Sequence, residues 1–479
     1  MIRWMKNSCL LVFFIAILNP AMAQVAFSKA YQEFSPWGDA IGSSVIQNWD
    51  GGFFATGFSG TYPDTIRALV FRTDVWGDTL WTKRIAFGSH TYASGIVASG
   101  DNYVVVAGSG FLYDTNLFLS KLDQDGNIMW THRYKDKLYV GVNGLIRTSD
   151  SGFLMCGRVL INTPPSFYYT AFLIKTDFNG DTLWTRLIDD GDHSTFECAS
   201  AVKETQNGHY ALCGYSDNLI LQPPQRVLVA ETDPNGLLIF QKTYSNVMQG
   251  QYCYANDLAI TSDLGFMVVA SADTDFTGAH WKSWLLRMNA NGDTLWTRAM
   301  NIAFLTTIQK QNDNTYIICG SGYRPDSTDG KGYLSKIDSL GNRSWERFYG
   351  NFTTDFNDVQ ITSDSGFVVI GRTVYPDNEY LYLVKTDKVG LMTGIKTIGK
   401  NSVCLVYPNP AKGFCTVIVP PGTSWFGICN SVGNIIYSDS SSYKDEQKIP
   451  LNLERFSPGF YSLIAIVGDQ MVSRRIIIQ

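Results

Sequence analysis

Little in this sequence points to defined chemistry. Only 17% of its 479 residues are charged, histidine occurs five times, and the net charge is −5. That balance excludes a nucleic-acid surface, because binding phosphate backbones needs a basic stripe. There is no nucleophile-elbow GxSxG, no HExxH and no phosphate-binding GxxxxGK[ST]. Long helical periodicity is scarce. Past the first two dozen residues, no run is long and apolar enough to cross a bilayer.

What the sequence has is turns, aromatics and a period. It holds 43 glycines and is 14% aromatic. An aromatic residue following a turn recurs at Phe53, Tyr103, Phe153, Tyr210, Phe266, Tyr316 and Phe367, at intervals of 50, 50, 57, 56, 50 and 51. A fixed period of this size implies one architecture repeated. Each repeat parses into four short strands. The first precedes a tight turn such as Ser149–Gly152 or Ser363–Gly366, where Asp and Gly tolerate left-handed backbone. The second is aromatic-led, as in Phe153–Gly157. The third follows a variable loop, as in Phe172–Asp177. The fourth carries tryptophan, as in Thr79–Arg84, Thr182–Leu187 and Thr294–Ala299.

Four-stranded units at this period read as blades of a β-propeller. Seven second strands face only six fourth strands. The missing one stands at the other end, in Ala26–Tyr31, where Phe27 takes the tryptophan slot. The expectation is an all-β fold: a seven-bladed propeller over 24–387, closed by its N-terminal strand so that no sheet edge is left open. Trp81, Trp130, Trp184, Trp296 and Trp345 share one slot and are assigned to packing between blades. Asp74, Asp123, Asp177, Asp233, Asp338 and Asp387 are assigned to turn hydrogen bonds, with Asn289 breaking the series.

Residues 1–23 read as a signal peptide, with Arg3 and Lys6, the apolar stretch Cys9–Leu18, and Ala21-Met22-Ala23 before the cleavage point. Eight cysteines follow it. Cys156, Cys213 and Cys319 share a slot with Ala and Thr in other repeats, which suits small buried thiols. Cys198 with Cys253, or Cys404 with Cys415, are left open as pairs.

Propeller geometry puts the short strand-one-to-two and three-to-four turns on one face. The long variable loops lie on the other, where recognition usually sits. The candidate binding crown comprises Phe167, Tyr168, Tyr169, Asp192, His193, Glu197, His280 and Trp281. Its aromatic faces and polar edges suit a glycan or protein ligand. The acidic loop Asp189–Glu197 is also the place for a catalytic carboxylate pair or calcium. No metal motif is present and no cofactor is expected, calcium being the one the residue types would allow. Ten residues before each marker aromatic, with one deletion allowed in the second repeat, stands a small polar residue: Ser43, Ser94, Asn143, Ser200, Asn256, Thr306 and Asn357. This slot is placed near the start of the innermost strand, as a channel ring whose side chains line a wet mouth or bond the adjacent turn.

Periodicity stops after Asp387. Residues 388–402 read as a linker, and 403–479 as a small antiparallel β-sandwich. Val406–Gly413 (VYPNPAKG), Val432–Tyr437 (VGNIIY), Leu451–Leu463 (LNLERFSPGFYSL) and the pair Arg474-Arg475 occur in that order. Together these resemble the C-terminal sorting domain of type IX secretion cargo, with Pro408, Asn409, Pro410, Gly433, Gly459, Tyr461, Arg474 and Arg475 at the motif positions. Asn430 stands where the family commonly has Asp. The resemblance implies passage through the outer membrane by the type IX machinery, then release or surface attachment. The repeats look like the propellers often fused to such tails, a group without a single activity. The functional expectation is a surface or secreted binding module for a glycan or protein. An extracellular polysaccharide hydrolase or lyase, and a structural surface protein, are the alternatives.

Overall fold

The computed structural model describes residues 25–392 and 405–479 apart from short segments, the longer being 35–38, 61–64, 112–115, 190–194, 219–224, 245–251, 274–280, 324–329 and 431–434. The proposed signal peptide and residues 393–402 of the proposed linker therefore lie outside the described residues. The linker's first residues instead make a strand-end turn of the propeller, where the Val389 and Leu391 N–H groups donate to Asp387 Oδ1 at 2.9 and 2.7 Å.

Seven four-stranded sheets follow one another along the chain. In the first, Asp39–Gln47, Phe53–Gly60, Arg67–Thr73 and Thr79–Ile85 pair in order, antiparallel throughout. Five more repeat that pattern, and we number them as blades in chain order. The seventh takes its fourth strand from the N-terminal end. Phe27–Tyr31 runs antiparallel to Glu379–Thr386, with Phe27 opposite Lys385 and Tyr31 opposite Leu381. The innermost strand of each blade contacts that of the next, and Thr354–Ile361 of blade 7 contacts Asp39–Gln47 of blade 1. The described strands thus form a closed β-propeller ring.

The middle strands are buried on both faces, which is why they read as continuous apolar runs rather than alternating ones. Successive side chains leave opposite faces. Phe53 and Ala55 join the core between blades 7 and 1, while Phe54 joins the core between blades 1 and 2. The propeller core is therefore a series of interfaces, one per blade pair.

The two repeated aromatic marks meet across these interfaces. Phe27 lies 5.9 Å from Phe53, Trp184 6.1 Å from Tyr210, Phe240 6.1 Å from Phe266, and Trp345 5.8 Å from Phe367. Each fourth-strand aromatic also covers the turn glycine of the following blade: Trp81 over Gly126, Trp130 over Gly180, Phe27 over Gly77. Gly126 has φ +81°, and a Cβ there would lie 3.0 Å from the Trp81 ring. Four residues further on, Tyr31, Tyr134 and Tyr349 donate to the carbonyl of that same glycine at 2.7, 2.9 and 2.5 Å, and Tyr244 does likewise.

The aspartate series closes the strand-three-to-four turns. Asp123 Oδ1 accepts from the N–H groups of Asp125 and Asn127, at 2.9 and 2.8 Å. Asn289 does the same with Asn291 and Asp293, at 3.0 and 2.8 Å, so an amide oxygen serves as well as a carboxylate. The strand-one-to-two turns carry ion pairs to the end of strand three: Lys175 to Asp150 at 2.8 Å, Lys336 to Asp313 at 3.0 Å, Lys385 to Asp364 at 2.8 Å. The described residues of this face are held by repeated local contacts.

Cys156, Cys198, Cys213, Cys253, Cys319, Cys415 and Cys429 are all buried and free. The Cys198–Cys253 pairing left open by the sequence is not made. Cys404, the other partner considered for Cys415, lies outside the described residues.

The C-terminal unit has seven strands from Leu405 to Ile478. Two antiparallel groups enclose one core containing Val417, Phe426, Ile428, Leu463 and Ile476. They form the expected sandwich with one departure: the groups are joined by a parallel bridge, Ala411 beside Ile478. Asn409 Oδ1 accepts from Ile477 N at 2.8 Å, and Tyr461 donates to the Ser457 carbonyl at 2.7 Å. Pro408 and Pro410 lie in the first strand, Gly459 starts the sixth, and Arg474 and Arg475 lie in the last. Gly433 lies outside the described residues.

Candidate functional site in the central channel

Every innermost strand is broken by a β-bulge, and in every blade the extra residue is the small polar one. Ser43 is left out between the pairs Gly42–Gly57 and Ser44–Thr56. Ser94, Asn143, Ser200, Asn256, Thr306 and Asn357 are skipped in the same way. A bulge turns its extra residue out of the ladder. Here that aims seven side chains at the axis, where all seven line one cavity of about 500 Å³.

The sequence suggested a ring near the start of these strands; it sits within them instead. Nor does it bond the adjacent turn. Asn143 donates to the Ala199 carbonyl at 2.9 Å, Asn256 to Leu305 at 2.6 Å, Thr306 to Phe356 at 2.8 Å, and Asn357 to Gly42 at 2.8 Å. Each acceptor directly precedes the bulge of the next blade. The longer ring residues therefore stitch neighbouring blades together. Ser43, Ser94 and Ser200 make no hydrogen bond to the described residues and keep their hydroxyls for the channel.

The cavity lies on one side of the ring. Its other lining residues all follow a bulge in sequence, from Ser44 and Ile46 in blade 1 to Asp358 and Gln360 in blade 7. First strands run from the variable face to the short-turn face, so this cavity lies toward the short turns.

Four charged groups missed by the sequence reading also line it: Arg147, Lys203, Asp257 and Asp358. Lys203 lies 3.0 Å from Asp257 Oδ1. Asp257 also accepts from the Leu258 and Ile308 N–H groups at 2.9 and 3.1 Å. The Asp257 partner lifts the Lys203 ammonium above its usual value, against the opposing effect of burial. Asp358 Oδ2 accepts from Ser44 Oγ and Val45 N at 2.9 and 3.0 Å. Burial pushes its carboxyl up to about 6, with nearby Asp257 adding to the rise. Both aspartates directly follow a ring asparagine, as Asn256-Asp257 and Asn357-Asp358, a signal the sequence carried. Nothing marked Lys203.

The crown residues whose side chains are described, Tyr168, Tyr169 and Glu197, do not line this cavity. Asp192, His193 and His280 lie outside the described residues. Phe167 and Trp281 stand in third strands at their variable-face ends, Ser166–Thr176 and Trp281–Met288. Tyr168 is buried and donates to Asp189 at 3.1 Å. Tyr169 is half-buried, packs 5.4 Å from Phe196 and lies under the Arg158 guanidinium. Glu197 is buried and accepts from Gln241 at 2.7 Å. The crown assignment is corrected for Tyr168 and Glu197, which belong to the wall between and within blades 3 and 4. Among the described residues, no group of three or more His, Cys, Asp or Glu side chains could hold a metal ion. Asp123, assigned to turn hydrogen bonds, has Oδ1 bonded by turn N–H groups and Oδ2 by Asn127 at 2.9 Å.

Residues 405–479 match the family described as the secretion system C-terminal sorting domain. The C-terminal sandwich is a sorting domain of that family. The sorting domain marks the chain as type IX cargo, exported to the cell surface or the medium. No helix among the described residues is long and apolar enough to cross a membrane. No curated protein matches the chain. Among solved structures, the WD40 domain of Neurospora crassa Pan2 is similar at 15% identity and TM-score 0.46, over 74% of this chain and 93% of that one. YCF48 bound to D1 peptide is similar at 9% and 0.45, over 76% and 97%. The polysaccharide lyase Uly1 is similar at 10% and 0.45, over 74% and 91%.

Proposed function

We propose that this is an exported binding module, carried through the periplasm after removal of residues 1–23 and across the outer membrane by its sorting domain. The ligand is a glycan or an extracellular protein, engaged by the propeller while the tail serves as an address. The supporting observation is the bulge ring, in which seven separate strands each deliver one polar side chain to a single cavity. A rigid closed scaffold with unspent polar groups in a concavity has the character of a binding site. The hydrolase or lyase reading loses one of its candidates, because Glu197 is buried and hydrogen-bonded.

The test is a screen of the purified chain against glycan arrays and surface-protein extracts, with parallel assay of product release. Saturable binding without product formation supports the module. Depolymerisation of any polysaccharide, or no binding to either class, overturns it.

A further inference from the structure

The cavity has two unlike arcs. Ile46 of blade 1, Val97 of blade 2 and Ile146 of blade 3 stand three residues past their bulges and line it with hydrocarbon. The same slot holds Lys203 in blade 4, Gln309 in blade 6 and Gln360 in blade 7. One arc is therefore apolar and the opposite one polar. The formal charges balance: Arg147 and Lys203 against Asp257 and Asp358.

Apart from the exposed Arg147 guanidinium, which donates to Ser151 Oγ at 3.2 Å, the polar groups still available are neutral ones. The Ser43, Ser94 and Ser200 hydroxyls and the Gln360 amide make no hydrogen bond to the described residues. Lys203 and Asp257 are paired with each other, and the Asp358 carboxyl is engaged by Ser44 and Val45. A charged ligand would gain little here, because the buried charges are already compensated. A wholly apolar ligand would strand the free hydroxyls and amide, and each polar group left unsatisfied weakens binding. The complementary molecule is uncharged, carries hydroxyls on its edges and offers a C–H face to Ile46, Val97 and Ile146. The cavity of about 500 Å³ falls within the usual range for small-molecule sites, roughly 300–1,000 Å³.

We propose that the cavity on the short-turn side of the bulge ring binds the end of a neutral saccharide chain. This rests on the binding-module reading and deepens it. It moves the contact from the variable crown to the face that the repeat pattern marks as structural. Ser43, Ser94 and Ser200 hydrogen-bond ligand hydroxyls, and the aliphatic arc takes the ring face. Strand-one backbones from seven blades fix the geometry, so the site is preformed.

The experiment is calorimetric titration of the full chain with neutral gluco-, manno-, galacto- and xylo-oligosaccharides, and with oligogalacturonate as an anionic comparator. Two variants accompany it. The triple variant Ser43→Ala, Ser94→Ala, Ser200→Ala removes three hydroxyls without adding bulk, and Ser94→Phe fills the cavity. The expected result is binding of a neutral oligosaccharide, weakened at least about 10-fold by the triple variant and abolished by Ser94→Phe. The unfolding temperature of the triple variant stays near that of the parent chain. Neutral-saccharide binding unaltered in both variants overturns the site while leaving the binding module standing. Binding of oligogalacturonate alone overturns the neutral class. Binding of no saccharide overturns this inference, and a protein ligand found in the broader screen would then keep the module reading alive.

Discussion

Asp358 of blade 7 accepts hydrogen bonds from Ser44 Oγ and Val45 N of blade 1, across the seam where the ring closes. Its carboxyl titrates at about 6 because burial disfavours the charged form, and Asp257 opposes ionisation further while Lys203 favours it. A carboxyl whose folded pKa exceeds its unfolded value of about 3.9 binds more protons when folded. Its contribution to stability is thus complete below about pH 4 and is lost as pH rises through about 6. Two pKa units set an upper scale of roughly 3 kcal/mol. Other aspartates act in the opposite sense. Thr261 and Arg287 hold Asp263 down to about 2, and Thr315 and Lys336 hold Asp313 at about 2. The measurement is therefore a difference: urea unfolding of the parent chain and Asp358→Asn between pH 4 and 7. The parent loses stability relative to the variant across that window. A constant difference would refute the assignment.

Ring closure depends on the strand Phe27–Tyr31. Phe27 is buried against Phe53 and Gly77, and Tyr31 donates to the Gly77 carbonyl. Phe27→Ala is expected to cost about 3 kcal/mol, and Tyr31→Phe about 1 kcal/mol. Deleting 24–34 exposes the edge of Glu379–Thr386 and lowers the unfolding temperature sharply. Thermal unfolding unchanged by the deletion would mean the first strand contributes nothing to closure.

Two glycines with similar backbone angles separate conformational strain from packing. Gly126 has φ +81° and would set a Cβ 3.0 Å from the Trp81 ring, whereas Gly413 has φ +73° and a Cβ there would meet nothing within 4 Å. An alanine at either site meets the left-handed penalty of about 1–2 kcal/mol. Gly126→Ala must also displace the indole, so it is expected to cost distinctly more in chemical denaturation. Equal losses would show that the tryptophan does not rest on that turn.

The repeat-slot thiols are chemically silenced. Burial raises the pKa of Cys156, Cys213 and Cys319 above the ordinary thiol value. Iodoacetamide at pH 8 should leave these three unmodified in the native chain and alkylate them in urea, read by peptide mass spectrometry. Native-state alkylation would place them at an accessible site.

The fold was legible because its signals are periodic and local. The marker aromatic, the fourth-strand slot of Trp or Phe and the turn slot of Asp or Asn each do one job seven times, so a misread copy is corrected by its neighbours. Phe27 was recoverable for that reason: an empty slot in blade 7 matched an orphan strand at the other end. The polar ring was found by the same counting. What counting could not supply was direction. A bulge is a two-against-one mismatch between strands, so neither Asn143 nor Asn357 alone reveals that its side chain leaves the ladder for the axis. Lys203, Asp257 and Asp358 each occur without a full set of counterparts, and their partners come from neighbouring blades, 54 residues away between Lys203 and Asp257 and 314 between Asp358 and Ser44. Two crown residues, Tyr168 and Glu197, were misplaced for the opposite reason. Both carry the right chemistry for a ligand surface, but burial is decided by packing that loop composition does not encode.

The pairing of Phe27 with Lys385 has a consequence for the order of events during synthesis and export. The first strand to emerge is the last to find its partner, since its neighbour arrives more than three hundred residues later. Contacts so distant in sequence form late and slowly. The ring therefore remains an open, edge-exposed arc until nearly the whole propeller is available.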